Sequence, residues 1–553
     1  MKKSKVFVIG IDGASWDIFD KLMEQGVMPN LKNLVENYFS TNLESTLPPV
    51  TASAWASFIT GMNPDRHGVY DFSRRKPGSY HTTINNAKSL KGKSLWKILS
   101  EQGKSVGVIN VPMTYPPEDV NGFIIPGFLS PGVSSQQMIT NPASLSDELK
   151  EQISDYKIFL DKSPRVTIET EGALGFLEKC TEIVDKRYEA AVFLYENYQP
   201  DFFMVHFLVT DVVQHWMWHV WDETHPEHDA STSAALLNAV HEFYSNLDDK
   251  FGGLLKIAGD DCDVILLSDH GFGPLQKTIF INHWLQQNGY LKLNQQKKQM
   301  IQTIRHIIAR IDFLNLRNRV LPSGQKRVSL EKQLQHEMLI NWKKTRAFAT
   351  PASIYGNVFL NLKNREPRGT IEDGEKAELL KKELKEKLEQ ITDPTTGKKL
   401  IADVFFRDDI FPNDNQKLAP DLLIKPNAGN VIFSQLTSNR FLRDNIAWKD
   451  ITGTHRVQGI LVIKSRKTIR SAERKINARL VDLAPTILYL LNNPIPAVMD
   501  GKLLEPAFKT AVLEASPPEY VGNNFQELES NNGYTPEQED IIRQRLQDLG
   551  YLE

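Results

Sequence analysis

The chain carries the run FFMVHFLV at residues 202–209, and the pair Asp211-x-x-x-His215 follows it directly. A second run, DVILLS at residues 263–268, leads straight into Asp269-His270. Each run has the length and apolar content of a strand buried on both faces of a parallel sheet. The carboxyl ends of such strands are where an open α/β sheet places its reactive groups. The sequence therefore predicts that both Asp/His pairs lie at the same edge of one sheet.

The N-terminus repeats the pattern, because the run VFVIGI at residues 6–11 precedes Asp12-Gly13. Carboxylate and imidazole ligands without thiolates suit zinc, manganese or iron. A helix that begins just after residue 209 would put Asp211 and His215 on one face. Each motif also has a plainer interpretation. The first pair alone is typical of a surface hydrogen bond, and Asp269-His270 alone is typical of a capped turn before a bend at Gly271–Pro274.

Strand-like and helix-like segments alternate through the first 270 residues. This alternation predicts an α/β fold with a mostly parallel central sheet and helices on both faces. Strand-like runs return at 347–350, 358–360, 421–424 and 459–463, and the charged segment 371–391 reads as a helix with a solvated face. The predicted strands before residue 271 span 5–11, 105–109, 202–209 and 263–268, and the predicted helices lie near 14–25, 30–37, 93–99, 171–197 and 232–257.

The sequence favours three regions. Residues 1–280 and 346–510 would form one discontinuous α/β domain that holds the reactive groups, and residues 511–553 a C-terminal linker and helix. Residues 281–345 read as a helical insertion or cap, rich in Lys and Gln and then basic. Two interpretations of the insertion stay open: a solvated helical segment, or a cap that offers cations to an anionic substrate. Its basic residues include Arg305, Arg310, Arg317, Arg319, Lys326 and Arg327.

Composition narrows the function classes. The 553 residues are 41% hydrophobic and 24% charged with a net charge of −3, which gives no reason to expect a nucleic acid or an anionic membrane as partner. Cys180 and Cys262 are too few for a disulfide framework or a thiolate metal site. No apolar run reaches the roughly 18 residues needed to span a bilayer, and no secretory signal precedes residue 12. We therefore expect a cytoplasmic protein. The sequence leaves the oligomeric state open.

Thr51 follows Pro48-Pro49 at the start of a small-residue helical segment that runs to Gly61. A hydroxyl at a helix N-terminus faces free backbone N–H groups and the positive end of the helix dipole. The plain interpretation is an N-cap threonine, and the functional one is a nucleophile for phosphate chemistry. His455 lies in a polar loop before the strand at 459–463, where a structural histidine is the plainer interpretation.

Taken together, these motifs are similar to the type I phosphodiesterase/nucleotide pyrophosphatase family of the alkaline phosphatase superfamily. They occur in the family's order from residue 5 to about residue 502. The stretches that carry the resemblance are Ile11-Asp12-Gly13, Met28-Pro29-Asn30-Leu31, Pro48 to Gly61, Pro64-Asp65-Arg66-His67-Gly68-Val69, Asp211-x-x-x-His215, Ser268-Asp269-His270-Gly271, Gly453-Thr454-His455, Asp482-Leu483-Ala484-Pro485-Thr486 and Met499-Asp500-Gly501.

The resemblance implies an alkaline-phosphatase-like fold and a site for two divalent metal ions, usually Zn²⁺, with Mn²⁺ or Fe as alternatives. It assigns one ion to Asp12, Thr51, Asp269 and His270, and the other to Asp211, His215 and His455. Thr51 would be the nucleophile and form a phospho-threonine. Two cations roughly 4 Å apart suit this chemistry, because they clamp the attacking and leaving oxygens of an in-line displacement.

One departure from the family affects the substrate. Nucleotide-cleaving relatives carry an asparagine shortly after His-Gly, whereas this chain reads HGVYDF at residues 67–72. Asn110 and Arg74 are candidates for the missing substrate-binding donor. His67 is a candidate for either a turn-stabilising residue or a substrate contact. The aromatic run HWMWHVWD at 215–222 reads either as core packing or as a stacking surface for a base or an apolar leaving group.

The sequence thus predicts a hydrolase of small phosphate esters, with a phosphodiester or a pyrophosphate as substrate. A phosphomonoesterase or a phosphonate- or sulfate-ester hydrolase on the same site is the nearest alternative. Sulfatases need a modified cysteine or serine, and metal-dependent phosphoglycerate mutases are expected to use serine, so a threonine at position 51 disfavours both. A non-catalytic binding protein that keeps the fold is the alternative of a different class.

Overall fold

The structure is a computed structural model that describes residues 4–132, 134, 137–231, 234–294, 339–352, 354–434, 440–471, 473–522 and 533–552. The basic residues expected in the insertion, from Arg305 to Arg327, lie outside the described residues. The chain divides into two compact units. The first comprises Met1–Phe72, Asn85–Gln276 and Asn445–Thr535, and the second comprises Ser73–Ile84, Lys277–Asp444 and Pro536–Glu553. The expected domain boundaries stay a prediction.

Strands and helices are numbered here in chain order. The described strands are β1 (Val6–Ile11), β2 (Phe39–Glu44), β3 (Ser73–Arg75), β4 (Thr82–Ile84), β5 (Val106–Ile109), β6 (Gly122–Ile125), β7 (Phe202–Phe207), β8 (Asp263–Leu267), β9 (Gly271–Phe280), β10 (Ala347–Thr350), β11 (Gly356–Leu360), β12 (Ile401–Phe406), β13 (Leu422–Pro426), β14 (Gly429–Phe433), β15 (Leu442–Asp444), β16 (Gly453–Arg456), β17 (Gln458–Lys464), β18 (Ala478–Arg479), β19 (Ile495–Pro496) and β20 (Tyr520–Val521). The described α-helices are α1 (Trp16–Glu24), α2 (Pro29–Asn37), α3 (Thr51–Thr60), α4 (Pro64–His67), α5 (Leu95–Glu101), α6 (Leu145–Gln152), α7 (Pro164–Tyr198), α8 (Val209–Trp221), α9 (Ala234–Ala258), α10 (Ile281–Gln287), α11 (Glu375–Leu388), α12 (Arg407–Ile410), α13 (Leu483–Leu490), α14 (Thr510–Ala515) and α15 (Pro536–Leu549).

The first unit is built on a sheet whose described strands follow the order β18-β2-β17-β8-β1-β7-β5-β6. Strands β8, β1, β7, β5 and β6 run parallel, and β17 is antiparallel to both β8 and β2. Every residue of β1 and β7 is buried, as expected for apolar strands covered on both faces. The predicted mostly parallel sheet is therefore present, with one antiparallel strand inside it.

The register of the central strands brings their carboxyl ends to one level. Gly10 of β1 pairs with His206 of β7 and with Leu267 of β8. Gly10 also lies under α3, because a Cβ at this position would come 2.9 Å from the Trp55 ring and 3.2 Å from the His206 ring. The absence of a side chain at residue 10 therefore lets α3 approach the sheet closely.

One local expectation is wrong. The sequence predicted a bend at Gly271–Pro274, but these residues are the first part of β9, which pairs with β16. The bend lies one step earlier, at Asp269-His270. Backbone hydrogen bonds to the much later β16 extend the strand, and a glycine-proline pattern read locally cannot reveal such a partner.

The second unit contains an antiparallel sheet in the order β10-β11-β13-β12, and the buried apolar side chains of this sheet share one core with those of α11. Helix α11 buries Ala377, Leu380, Leu384 and Leu388, a spacing that places them on one helix face. Most of its charged residues occupy the remaining surface, as the sequence predicted. A buried ion pair elsewhere in this unit joins Arg75 to Glu366, with an Nη1–Oε1 distance of 2.8 Å.

Within the described ranges of the chain, no helix has both the length and the apolar character to cross a membrane. The expected cytoplasmic location stays a prediction.

We expect Gly10→Val to destabilise the first unit, because the added side chain would collide with Trp55 and His206. Overpacking of this kind lowers the free energy of unfolding by about 1–3 kcal/mol. Urea denaturation followed by tryptophan fluorescence measures the change. Gly522→Val is the matched control, since a Cβ at residue 522 has no described neighbour within 4 Å. Equal stability of the two variants would contradict the close approach of α3.

Candidate active site

The three predicted acidic residues converge at the carboxyl ends of the central strands. Asp12 follows β1, Asp211 lies in the first turn of α8 after β7, and Asp269 follows β8. All three side chains are fully buried. The parallel register of β8, β1 and β7 is what brings them together, as the sequence predicted.

One group of side chains surrounds Asp211. His215 lies one helical turn further along α8, and its Nε2 is 3.4 Å from Asp211 Oδ2. His455 reaches the group from β16, which pairs with β9 so that His455 lies opposite Phe272. The distance from His455 Nε2 to Asp211 Oδ1 is 3.1 Å, and that to His215 Nε2 is 3.0 Å.

A second group surrounds His270. Its Nε2 lies 3.3 Å from Asp12 Oδ1, 3.3 Å from Asp269 Oδ2 and 3.2 Å from Thr51 Oγ1. Asp211 Oδ1 connects the two groups, since it lies 4.0 Å from His270 Nε2. The structure thus brings all seven predicted metal-site residues into one buried cluster.

The hydrogen bonds of the three histidines suit metal ligands. In each ring Nδ1 lies near a main-chain oxygen: Gly453 O at 2.7 Å for His215, Gly271 O at 3.1 Å for His270, and Pro49 O at 3.0 Å for His455. Because a carbonyl oxygen only accepts, Nδ1 carries the hydrogen. Each ring therefore turns Nε2 towards the cluster, in the orientation that a bound metal requires.

His215 and His455 are the clearest case. Burial lowers the pKa of His215 to about 4, and burial together with the charge of His270 holds the pKa of His455 well below its usual value. Both rings are therefore neutral near pH 7, and their Nε2 lone pairs face each other across 3.0 Å. Such a pair repels unless a cation lies between or beside the two nitrogens, so this arrangement fits a metal.

The charges of the second group support the same conclusion. The carboxyl oxygens Asp12 Oδ1 and Asp269 Oδ2 are buried, and His270 Nε2 lies 3.3 Å from each of them. Burial and the charge of Asp12 raise the pKa of Asp269 well above its usual value. Burial would lower the pKa of His270, but Asp269 and Asp12 outweigh it and raise that pKa to about 9. The group stabilises positive charge in its midst, as a cation site must.

Two sets of side chains have ligand atoms that all lie within 4.8 Å of one another: Asp211, His215 and His455, and Asp12, Asp211 and His270. The first set is the one that the family resemblance implied. The second contains Asp211 where the resemblance implied Asp269. Asp269 stays close by, with Oδ1 3.3 Å from the Gly13 amide nitrogen. Which carboxylate belongs to which ion stays a prediction.

Thr51 begins α3 and is fully buried. It is not the N-cap, because Val50 holds that position without a side-chain capping bond. The Thr51 hydroxyl points instead to His270, at 3.2 Å. The plain capping interpretation is therefore wrong, and its role as a nucleophile stays a prediction.

His206 and Trp55 are two site residues that the sequence analysis missed. His206 Nε2 lies 3.0 Å from Asp12 Oδ2, and Trp55 Nε1 donates to the same oxygen at 3.2 Å. The other ring nitrogen of His206 lies 3.1 Å from the main-chain oxygen of Asn110. Together the two residues fix the orientation of Asp12. The sequence feature that could have identified His206 was a single histidine inside an otherwise apolar strand.

The two predicted substrate-binding residues, Asn110 and Arg74, are not part of the buried cluster. Asn110 uses both ends of its amide within the protein, because Oδ1 accepts from the Tyr156 hydroxyl at 2.6 Å and Nδ2 donates to Pro126 O at 3.0 Å. Arg74 belongs to the second unit, where partial burial lowers its pKa against the opposing charge of Glu539. Both substrate-binding roles stay predictions.

His67 has two partners close to it in the sequence. Its Nδ1 accepts from the Val69 amide at 3.2 Å, and Nε2 donates to Ser57 Oγ at 2.9 Å. Burial lowers the pKa of His67 to about 3, so the ring is neutral. These contacts favour the turn-stabilising interpretation over a substrate contact.

A known protein family matches most of this chain. A model of the type I phosphodiesterase/nucleotide pyrophosphatase family matches residues 6–456, a range that contains all seven residues of the cluster. The chain belongs to this family. It is therefore a phosphate-ester hydrolase of the nucleotide pyrophosphatase type, and its buried Asp and His groups could bind metal. The prediction of an enzyme is confirmed. No curated protein sequence matches the chain significantly.

The fold of this chain is similar to that of a solved structure. Phosphonoacetate hydrolase from Sinorhizobium meliloti 1021, in complexes with phosphonoacetate and with phosphonoformate, superposes with a TM-score of 0.51 at 14% identity, covering 89% of this chain and 95% of that chain. This likeness confirms the predicted alkaline-phosphatase-like α/β fold. Human ectonucleotide pyrophosphatase/phosphodiesterase 5 gives a TM-score of 0.48 at 12% identity, covering 93% of this chain and 99% of that chain.

We expect His206→Phe to weaken zinc binding by about 10- to 100-fold, because Asp12 would lose the hydrogen bond that orients it. Competition for zinc against a chromophoric chelator measures the affinity, and circular dichroism checks the fold. His81→Phe is the control, since His81 is exposed. An unchanged zinc affinity in the folded His206 variant would show that Asp12 does not need this support.

Proposed function

We propose that this enzyme hydrolyses phosphodiesters or pyrophosphates with Thr51 as the nucleophile. The observation that carries the proposal is the contact between Thr51 Oγ1 and His270 Nε2, 3.2 Å long, inside a buried cluster of three carboxylates and three imidazoles. A hydroxyl buried against such a cluster has little structural purpose, because α3 does not use it as a cap. The family description supports the same class of substrate.

The surroundings of Thr51 suit a phosphoryl group. Thr51 is the first residue of α3, so the free N–H groups of the first helical turn lie next to its hydroxyl. These groups and the helix dipole favour an anion at this position. Substrate oxygens bound there would place the phosphorus atom beside Thr51 Oγ1, ready for attack.

The metal assignment follows the family resemblance. We propose that Asp211, His215 and His455 hold one divalent ion and that Asp12, Thr51, Asp269 and His270 hold the other, with zinc preferred and manganese or iron as alternatives. Such ions, when bound, lower the pKa of the Thr51 hydroxyl and neutralise charge on the phosphoryl group and the leaving oxygen.

The reaction then proceeds in two displacements. In the first, Thr51 Oγ1 forms a bond to phosphorus, the bond from phosphorus to the leaving oxygen breaks, and the hydroxyl proton is passed to solvent or to that oxygen. In the second, a water oxygen attacks the phospho-threonine, the bond to Thr51 Oγ1 breaks, and the threonine regains a proton. The side chains of His206 and Trp55 hold Asp12 in place throughout.

Thr51→Ala should abolish the turnover of bis(p-nitrophenyl) phosphate, with a loss of about 10³-fold or more, because the nucleophile is removed. The release of p-nitrophenolate measures the rate. Thr51→Ser should keep part of the activity. Thr60→Ala, at the other end of α3, is the matched control and should stay active, since the Thr60 hydroxyl bonds to main-chain atoms of Ala56 and Met62. Unchanged turnover in Thr51→Ala would remove Thr51 from this role.

Metal analysis distinguishes a catalytic site from that of a binding protein that has only kept the fold. After purification in a buffer that contains the metal ion, we expect close to two zinc or manganese ions per chain. Plasma mass spectrometry measures this number. His455→Ala should lose about one ion, because the group around Asp211 loses a ligand. His81→Ala, which removes an exposed histidine, should keep both. A chain that binds no ion and turns over none of these esters would support the binding-protein alternative.

A further inference from the structure

Helix α8 carries a buried histidine that the proposed reaction does not use. His219 lies one helical turn beyond His215, and its side chain is only 2% exposed. Its ring packs edge-on against the ring of Trp448, with centroids 4.5 Å apart. The sequence alone allowed two interpretations of the aromatic run at 215–222, core packing or a stacking surface. The hydrogen bonds of His219 indicate a further role, because a buried imidazole needs a polar partner.

The polar partner of His219 is Thr452, the fully buried residue directly before β16. His219 Nδ1 lies 3.0 Å from Thr452 Oγ1, and the main-chain N–H of His219 donates to the same oxygen at 3.4 Å. The main-chain N–H of Thr452 donates in turn to the main-chain oxygen of His215 at 2.7 Å. The start of β16 is therefore bonded to the helix that carries Asp211 and His215.

Thr452 is also bonded to the neighbouring strand. Its main-chain oxygen accepts from the Leu275 amide of β9 at 2.7 Å. The main-chain oxygen of Leu275 accepts from Nε2 of the buried His225 at 2.9 Å. Nδ1 of His225 accepts from the Glu227 amide at 3.1 Å, so both ring nitrogens are occupied. Strand β9 is thus attached to the segment after α8 at the level where Thr452 meets it.

The register of β16 determines where His455 lies. The strand is only four residues long and places His455 opposite Phe272. Successive side chains of a strand point to opposite faces, so a slip by one residue would turn His455 away from Asp211. At its far end β16 leads into β17 of the central sheet after one residue. At its near end, Thr452 joins the strand to α8 and to β9.

The near end of β16 also orients His215. The main-chain oxygen of Gly453 accepts from His215 Nδ1 at 2.7 Å, which turns Nε2 towards the cluster. The strand and the helix are in close contact here, because a Cβ at Gly453 would come 2.4 Å from the main-chain oxygen of Gln214. A shift of Thr452 would therefore move both His455 and the hydrogen-bond partner of His215.

We propose that His219 and Thr452 are positioning residues of the metal centre: their hydrogen bond fixes the start of β16, so that His215 and His455 present Nε2 to one ion together. This inference rests on the proposed assignment of Asp211, His215 and His455 to a single ion. Both residues act through these ligands. The loss of a group that orients a metal ligand typically lowers metal affinity by about 10- to 100-fold.

Titration with Co²⁺ tests the proposal, because the visible absorption of bound Co²⁺ reports each binding step. We expect two steps in the unaltered chain. Thr452→Val, which removes the hydroxyl and keeps the branched shape, should weaken one step by about 10- to 100-fold and leave the other unchanged. His215→Ala removes a proposed ligand of the same ion, so the step that it abolishes should be the one that Thr452→Val weakens.

Matched variants separate positioning from general stability. Thr452→Ser keeps the hydroxyl and should bind both ions as the unaltered chain does. His219→Phe should weaken the same step as Thr452→Val, and the double variant should be no weaker than the weaker single variant, because both changes remove one hydrogen bond. Thr167→Val is the control. It removes the hydroxyl of another buried threonine, which donates to the Ser163 main-chain oxygen at 3.0 Å, and should leave both steps unchanged.

The outcomes distinguish this inference from the proposed function. Binding of fewer than two Co²⁺ ions by the folded, unaltered chain would overturn both. Two ions in the unaltered chain, with both steps unchanged in folded Thr452→Val and His219→Phe, would overturn this inference alone. Equal losses in Thr452→Ser and Thr452→Val would do the same, because the methyl group of Thr452 rather than its hydroxyl would then support the site.

Discussion

The burial of three carboxylates at the ends of parallel strands is the constraint on which the rest of this site depends. Asp12, Asp211 and Asp269 are fully shielded from water, and buried charges persist only when they are compensated. The surrounding residues answer that demand. Histidines turn Nε2 inwards because main-chain oxygens hold their Nδ1 atoms. A tryptophan and a further histidine orient Asp12. The fold is thus organised around a place for positive charge.

Much of this could be read from the sequence, because it follows from local patterns. Apolar runs identified the strands that precede each acidic residue, and the parallel arrangement then brought those residues together. The helix expected over 171–197 corresponds to α7, whose regular geometry is interrupted at Gly172, so that the expected start coincides with a real break in the helix. The order of short motifs indicated the family, although each motif alone was ambiguous.

The rest depended on contacts between distant parts of the chain. Nothing near residue 271 indicates the strand β9, because its partner β16 lies about 180 residues later, in a register that pairs Gly453 with Pro274. His206 reads as a minor irregularity in an apolar strand until its neighbour across the sheet proves to be Gly10. Asn110 looked available for a substrate, but Tyr156 and Pro126 occupy its amide. Hydrogen-bond partners are set by tertiary structure, which a single stretch of sequence does not encode.

The pairing of β9 with β16 has a consequence for how the protein is made. Asp12, Thr51, Asp211, His215, Asp269 and His270 all emerge from the ribosome well before His455 does. Until β16 has been synthesised and has paired with β9, the acidic groups of the incomplete cluster must either stay hydrated or be buried by other parts of the nascent chain. The cluster therefore stays without His455 until the strand β16 has emerged and paired with β9.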